Sequence, residues 1–280
     1  MHILLIRHGE SVDNVAGLYA GSRDSPLTNH GVLQTKRLGA YLAKRHTVIG
    51  PVKHIFTSNL QRAYQTAEAV AEAQGSLKGD SSASQVSLEV CRLPELREKD
   101  YGSSEGKKYG VKVDGKVDKP DPSDLETHDS MRIRVDHFLD LHLIPVIDKH
   151  VSDNAAVAVV AHGIILGVLF KALLERFPSR STIATESVAW SNTGVFQAKL
   201  ELRESVPLTD PPVSKDGVIP HIDRALGLKV ELINNIEHLE GLKKTRGGIG
   251  SAKFDSRQRT MDSFFTPTSK KRKVEETRNP

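Results

Sequence analysis

An α/β architecture, a three-layer αβα sandwich around a mostly parallel sheet, is what this 280-residue sequence predicts. Apolar runs of strand length alternate with helical stretches, the pattern of a parallel sheet covered on both faces. Two of those runs, 1–6 and 155–161, stop abruptly at Arg7-His8-Gly9 and at His162-Gly163, as buried strands stop before functional loops. Beyond Leu239 the composition changes to Gly, Ser, Thr, Lys and Arg with few apolar residues, which predicts one domain over 1–240 and a disordered tail over 241–280.

The first strand is the run ending at Ile6. Pro26-Leu27-Thr28 then opens a helix, with Thr28 placed as N-cap and Leu33, Leu38, Tyr41 and Leu42 on one face. Val52 to Phe56 reads as a second strand, followed from about Leu60 to Ala73 by an Ala-rich helix that carries Arg62 in its first turn. A third strand spans Val86 to Leu93. Met131, Val135, Phe138, Leu139 and Leu141 give 129–142 an amphipathic helical pattern. Ala155 to Ala161 is the strongest strand signal, and it leads into an apolar helix from about Ile164 to Phe177 that Pro178 helps to end. Gly194 to Leu202 and Leu228 to Ile233 read as closing strands, separated by an exposed loop containing Pro207, Pro211 and Pro212.

Composition excludes several classes. No run approaches the roughly 18 consecutive apolar residues of a membrane span, and no charged leader precedes the first strand, so a soluble, non-secreted, membrane-free protein is expected. Cys91 is the single cysteine, which rules out an intramolecular disulfide or a thiolate metal cluster. No metal-ligand spacing appears among the histidines, so neither metal nor cofactor is expected. Residues 242–280 hold 11 Lys+Arg against 4 Asp+Glu, leaving 28 against 31 elsewhere, so the net charge of +4 is a property of the tail. The tail can attract phosphates without reading bases, and sequence-specific nucleic-acid binding is not expected.

Open α/β sheets place ligand sites beyond the carboxyl ends of their strands, so His8 and His162 are expected to meet. Arg7 and Arg62 complete a cationic pocket suited to a phosphoryl dianion, which guanidinium forks and helix N-termini both recognise. A neutral imidazole is a competent nucleophile near pH 7, and phosphoryl transfer needs mainly alignment and charge compensation.

Arg7-His-Gly-Glu-Ser11 with Asn14, the run Ser58-Asn-Leu-Gln-Arg-Ala-Tyr-Gln-Thr-Ala67, Leu96-Arg-Glu-Lys-Asp-Tyr-Gly-Ser-Ser-Glu-Gly106 and Val160-Ala-His-Gly163 resemble the histidine phosphatase superfamily, of phosphoglycerate mutase-like fold. The resemblance spans about 1–239 with its motifs in family order. It implies a metal-independent phosphatase with His8 as nucleophile, Arg7, Arg62 and His162 as phosphate clamp, and Glu98 as proton donor and later base. Asn14, Gly21 and the Gly163 N–H match substrate-contacting positions. The segment 96–107 is most similar to fructose-2,6-bisphosphatase-type phosphatases. Mutases of the family carry a long arginine-containing insertion where 107–125 is short and without arginine, so hydrolysis of a small phosphomonoester is expected over phosphoglycerate mutase-type transfer. Lys99, Lys107, Lys108 and Lys112 are either contacts for a second anionic group or a solvated rim.

In the tail, Gln258-Arg-Thr-Met261-Asp-Ser-Phe264-Phe265 fits the PIP-box pattern, and one tight helical turn would gather Met261, Phe264 and Phe265 into an apolar plug with Gln258 beside it. The resemblance implies docking on the sliding clamp PCNA. Lys270-Lys-Arg-Lys-Val274 resembles a nuclear localisation signal, which implies a nuclear import receptor as a second partner and the nucleus as compartment. A catalytically idle clamp-binding adaptor is the alternative from a different class, and five matched polar groups argue against idleness.

Overall fold

The computed structural model describes residues 1–75, 88–110, 112–113, 116–117, 120–178, 188–202, 226–245 and 248–257. Its strands are β1 (His2–Arg7), β2 (Val52–Ser58), β3 (Val90–Leu93), β4 (Lys112–Val113), β5 (Lys116–Val117), β6 (Ala156–Ala161), β7 (Val195–Leu202) and β8 (Leu226–Asn235). Its helices are α1 (Val12–Ala16), α2 (Asn29–Lys44), α3 (His46–Ile49), α4 (Gln61–Gly75), α5 (His128–Phe138), α6 (Ile144–His150) and α7 (Gly163–Arg176). Six strands form one sheet in the order β3-β2-β6-β1-β7-β8, and β4 and β5 make a separate hairpin. Only β7 runs against the others, being antiparallel to both β1 and β8, so the sheet is mostly parallel as the sequence predicts.

Strict alternation assigns the two faces. Ile3, Leu5, Val157, Val159 and Phe196 pack with Val135 and Phe138 of α5 and with Leu169, Phe170 and Leu173 of α7. Leu4, Ile6, Ala156, Ala158 and Val160 face Leu38 and Leu42 of α2 and Val70 of α4. Both faces of β1 and β6 are buried, which is why these strands read as unbroken apolar runs. Each fully buried Leu or Ile contributes about 1.5–3 kcal/mol relative to exposure.

Two of the predicted helical faces are corrected. Leu33 is exposed, and α2 instead buries Gln34, Thr35, Leu38, Gly39 and Leu42. A Cβ on Gly39 would lie 2.6 Å from the Ala69 carbonyl, so close approach of α4, rather than apolar count, sets this face. The helix expected over 129–142 ends at Phe138 and passes through a π-helical turn, Leu139–Leu143, into α6. Pro145 has no N–H and its ring opposes the carbonyl four residues back, so the turn widens there. The extra residue rotates Leu141 to solvent and brings Leu143, Ile144 and Ile147 inward.

The tail expected from 241 is not free over its first part. Phe254 N–H donates to the Leu27 carbonyl at 3.1 Å, Asn29 N–H donates to the Ala252 carbonyl at 3.0 Å, and Lys253 bridges Thr28, so 252–254 lies along the start of α2. Lys244 Nζ pairs with Glu10 at 2.9 Å. Residues 258–280, with Gln258, Met261, Phe264, Phe265 and the basic run 270–274, lie outside the described residues, as do the start of the third strand at Val86 and the loop containing Pro207, Pro211 and Pro212.

Candidate active site

Register brings the chemistry together. In the parallel pair β1–β6, Arg7 lies opposite Ala161, so the next residues, His8 and His162, emerge side by side beyond the carboxyl ends of adjacent strands. His8 N–H donates to the Ala161 carbonyl at 3.0 Å, and the imidazole centroids stand 5.0 Å apart. On the other side of β6, β2 ends at Ser58, and α4 begins three residues later with Arg62 in its first turn.

His8 is buried, and its Nδ1 lies 2.7 Å from the Gly9 carbonyl. A carbonyl only accepts, so Nδ1 carries the hydrogen and Nε2 keeps a lone pair. Burial first, then the Arg62 and Arg7 guanidiniums, hold the His8 pKa well below its ordinary value despite the Gly9 bond. The neutral ring is therefore the resting form.

His162 is fully buried at the N-cap of α7 and does not line the cavity. Both of its ring nitrogens lack hydrogen-bond partners among the described residues. Burial, then Arg62, His8 and Arg7, push its pKa well down.

Arg62 is 1% exposed, an unusual place for a cation unless anions are near. Its Nη2 donates to the Gly21 carbonyl at 2.8 Å and Nη1 to the Arg23 carbonyl at 2.6 Å, while Nε has no partner among the described residues. Burial pushes its pKa down to about 10, although Glu98, Asp13 and Asp24 oppose the shift. Arg7 Nη1 donates to the Trp190 carbonyl at 2.5 Å, and Arg7 Nε is likewise buried without a partner among the described residues. Burial also lowers the Arg7 pKa. Two guanidiniums with unpartnered donors and two neutral imidazoles leave this pocket electrostatically suited to an anion.

Glu98 lines the cavity opposite them. Its Oε2 accepts from Ile164 N–H and its Oε1 from Ile165 N–H, both at 3.1 Å, so the carboxylate caps the otherwise unsatisfied start of α7. Gly163, at the first position of α7, also lines the cavity, and an N–H there has no intrahelical acceptor. Asn14 closes a capping box on α1 with Ser11, and its Oδ1 also accepts from Asn192 Nδ2 at 3.1 Å. Gly21 lines the wall at φ +47°, and a Cβ there would come within 2.0 Å of Glu105 Oε1. It acts on the site through its carbonyl, which holds Arg62.

These residues open into a cavity of about 1070 Å³. His8, Arg7, Arg62, Glu98, Asn14, Gly21 and Gly163 all line it, and His162 stands behind His8. The sequence reading missed the segment 190–193. The Trp190 carbonyl fixes Arg7, and Asn192 Nδ2 donates to the His8 carbonyl at 3.1 Å as well as to Asn14. Thr193 holds φ +57°, with its N–H shared between the carbonyls of Arg7 and His8. No motif marks these residues; only the pairing of β7 with β1 puts the segment under the site. A second unforeseen group is Arg134 of α5, which donates to the carbonyls of Glu95, Arg97 and Glu98 and to the Glu126 carboxylate.

With this geometry in view, the likenesses to known proteins are specific. The chain is 28% identical over 264 residues to "Probable phosphatase C1620.13" of Schizosaccharomyces pombe, covering 93% of this chain and 78% of that protein. It is 32% identical over 197 residues to a 2,3-bisphosphoglycerate-dependent phosphoglycerate mutase of Rhizobium etli, covering 66% and 85%. Its fold is like that of a mycobacterial glucosyl-3-phosphoglycerate phosphatase, with a TM-score of 0.57 at 19% identity over 83% of this chain and 98% of that one. The family model for the histidine phosphatase superfamily (branch 1) matches residues 3–201, and the chain, carrying His8, Arg7, Arg62 and His162 at one strand-end cluster, belongs to that superfamily.

Proposed function

We propose that the protein is a phosphatase that hydrolyses a small phosphomonoester through a phosphohistidine on His8. The observation that carries the reading is the His8–Gly9 bond, which fixes the hydrogen on Nδ1 and leaves Nε2 as the nucleophile. Nε2 attacks phosphorus and the ester P–O bond breaks. Arg7, Arg62 and the helix N-terminus at Gly163 compensate the charge on the phosphoryl oxygens, and His162 is close enough to His8 to join them. The Glu98 carboxyl is the donor of the proton that the departing alkoxide takes. As carboxylate it then takes a proton from the water that attacks the phosphohistidine. Inorganic phosphate leaves and His8 returns to its resting tautomer.

Hydrolysis is favoured over transfer by the short, arginine-free segment 107–125, where a mutase needs a closure that excludes water. The test is turnover of a broad phosphomonoester panel by wild type and His8→Ala. Release of inorganic phosphate by wild type alone supports the proposal. Passage of the phosphoryl group from His8 to an acceptor alcohol would make the protein a mutase, and identical behaviour of the two proteins would leave the idle adaptor.

The tail motif supports a second element of the proposal: tethering to the sliding clamp PCNA through Gln258, Met261, Phe264 and Phe265, with nuclear entry through 270–274. The described strap ending at Arg257 leads directly into that motif. The peptide 256–270 is expected to bind the clamp, and its Phe264→Ala/Phe265→Ala form is not; equal calorimetric signals would remove the tether.

A further inference from the structure

We infer that the outer part of the cavity is a subsite for a flat aromatic leaving group, so that the substrate is a monophosphate ester of an aromatic or heteroaromatic alcohol. This rests on the phosphatase reading and names its substrate class. The inference comes from how the wall is divided. Its charged lining residues among those described, Arg7, Arg62 and Glu98, are all at the phosphate end. Tyr19, Tyr101 and Tyr109, with Leu18, line much of the rest, and Trp190 joins the two parts. A second phosphate would need a second set of cations, and no described lysine lines the cavity.

The aromatic wall is built rather than incidental. Tyr19 and Tyr101 lie 4.9 Å apart by ring centroid, and Tyr109 meets Tyr19 edge-on at 6.1 Å. Backbone bonds hold the segments that carry the rings: Tyr19 N–H donates to the Lys107 carbonyl at 3.0 Å, Gly106 N–H to the Tyr19 carbonyl at 2.9 Å, and Tyr109 N–H to the Gly17 carbonyl at 3.0 Å. Glu105 ties the same loops together by accepting from the backbone N–H groups of Ser22 and Tyr101. Tyrosines serving a core would be covered, whereas Tyr109 is 59% exposed at the rim. Pre-set rings lining a cavity beside a phosphate pocket match a planar π-surface, each good ring contact being worth up to about tenfold in affinity.

The test uses the full-length protein and leaving groups of similar basicity, so that intrinsic reactivity does not decide. kcat/KM is compared for 1-naphthylmethyl phosphate, glycerol 3-phosphate and 2,3-bisphosphoglycerate. The naphthylmethyl ester is expected to lead by at least tenfold, Tyr19→Phe to keep that preference and Tyr19→Ala to lower it about tenfold. A preference for the bisphosphate, or a ratio unmoved by Tyr19→Ala in a folded protein, overturns the subsite. Should Tyr19→Ala not fold, competition on the wild type decides: naphthylmethylphosphonate must bind at least tenfold tighter than methylphosphonate, and equal binding overturns the inference. Binding of the aromatic phosphonate with no ester turned over would sink the phosphatase reading alone.

Discussion

The His8 imidazole and the Gly9 carbonyl are joined by a 2.7 Å hydrogen bond that fixes the tautomer of the proposed nucleophile within a single turn of backbone. Because the acceptor belongs to the next residue, the orientation needs no distant partner. His8→Ala is expected to lower kcat at least 10³-fold, the scale seen when a covalent nucleophile is removed. A phosphoramidate formed on the wild type should be acid-labile and base-stable, and rapid-quench labelling with ³²P-substrate checks both points; label retained by His8→Ala would assign the nucleophile elsewhere.

The pH profile follows from burial. His8 is held well below its ordinary pKa, first by desolvation and then by Arg62 and Arg7, so acidification through 6.5 does not protonate it. The acid limb of kcat/KM reports the free enzyme. After correction for titration of the substrate phosphate, its midpoint is expected below pH 6.5. Arg62→Met removes one of the two charges that depress the pKa and should move this limb upward while lowering kcat/KM at neutral pH about 10²-fold, as for loss of one charge-stabilising donor. Stopped assays from pH 4 to 8 measure both.

Arg134 positions the stretch that carries Glu98. Its guanidinium donates to the Arg97 carbonyl at 2.7 Å and the Glu98 carbonyl at 3.3 Å, and it pairs with Glu126 at 2.8 and 3.0 Å. Burial alone would raise the Glu126 pKa, but the Arg134 bond and the Asp100 N–H hold it below its ordinary value. Arg134→Lys keeps the charge and loses the planar fork. It is expected to lower kcat about tenfold on alkyl phosphates, whose leaving group needs a proton and for which Glu98 is the proposed donor, and under threefold on p-nitrophenyl phosphate, whose leaving group needs none. Equal losses on both would make Arg134 a structural residue with no part in proton transfer.

How much of this was legible depended on whether a residue carries its own local signature. His8 and His162 are each preceded by an apolar strand and followed by glycine, so strand ends and site could be read together. Arg62 stood out because a cation in the first turn of a helix opposes the helix dipole. Asn192, Trp190 and Thr193 lie in a loop whose relation to His8 exists only through the antiparallel pairing of β7 with β1. Arg134 looks like an ordinary surface residue of an amphipathic helix until the chain folds it across residues 95–98. Leu141 shows the converse: the helical period places Met131, Val135, Phe138 and Leu139 in the core, and one π-turn beside Pro145 rotates Leu141 to solvent.

His238 links this hidden loop to stability against acid. Thr193 Oγ1 donates to the Asn192 carbonyl, so the 2.9 Å contact with His238 Nε2 requires the histidine to donate, leaving Nδ1 bare, buried and without a partner among the described residues. Protonating Nδ1 would leave a buried, unsolvated N–H on the ring that holds Thr193, whose left-handed, β-branched backbone already costs about 1–3 kcal/mol. Burial first, then Arg37, pushes the His238 pKa down to about 4. Between about 4 and the unfolded value near 6.5, the unfolded chain binds this proton and the folded one does not. The contribution is therefore complete above pH 6.5 and is lost progressively as the pH falls toward 4. His238→Gln keeps an amide donor for Thr193 Oγ1 without the titration. Urea denaturation from pH 7.5 to 4 should show a shallower fall in stability for the variant than for wild type, with the two curves parallel above 6.5; parallel curves throughout would mean that His238 titrates alike in both states.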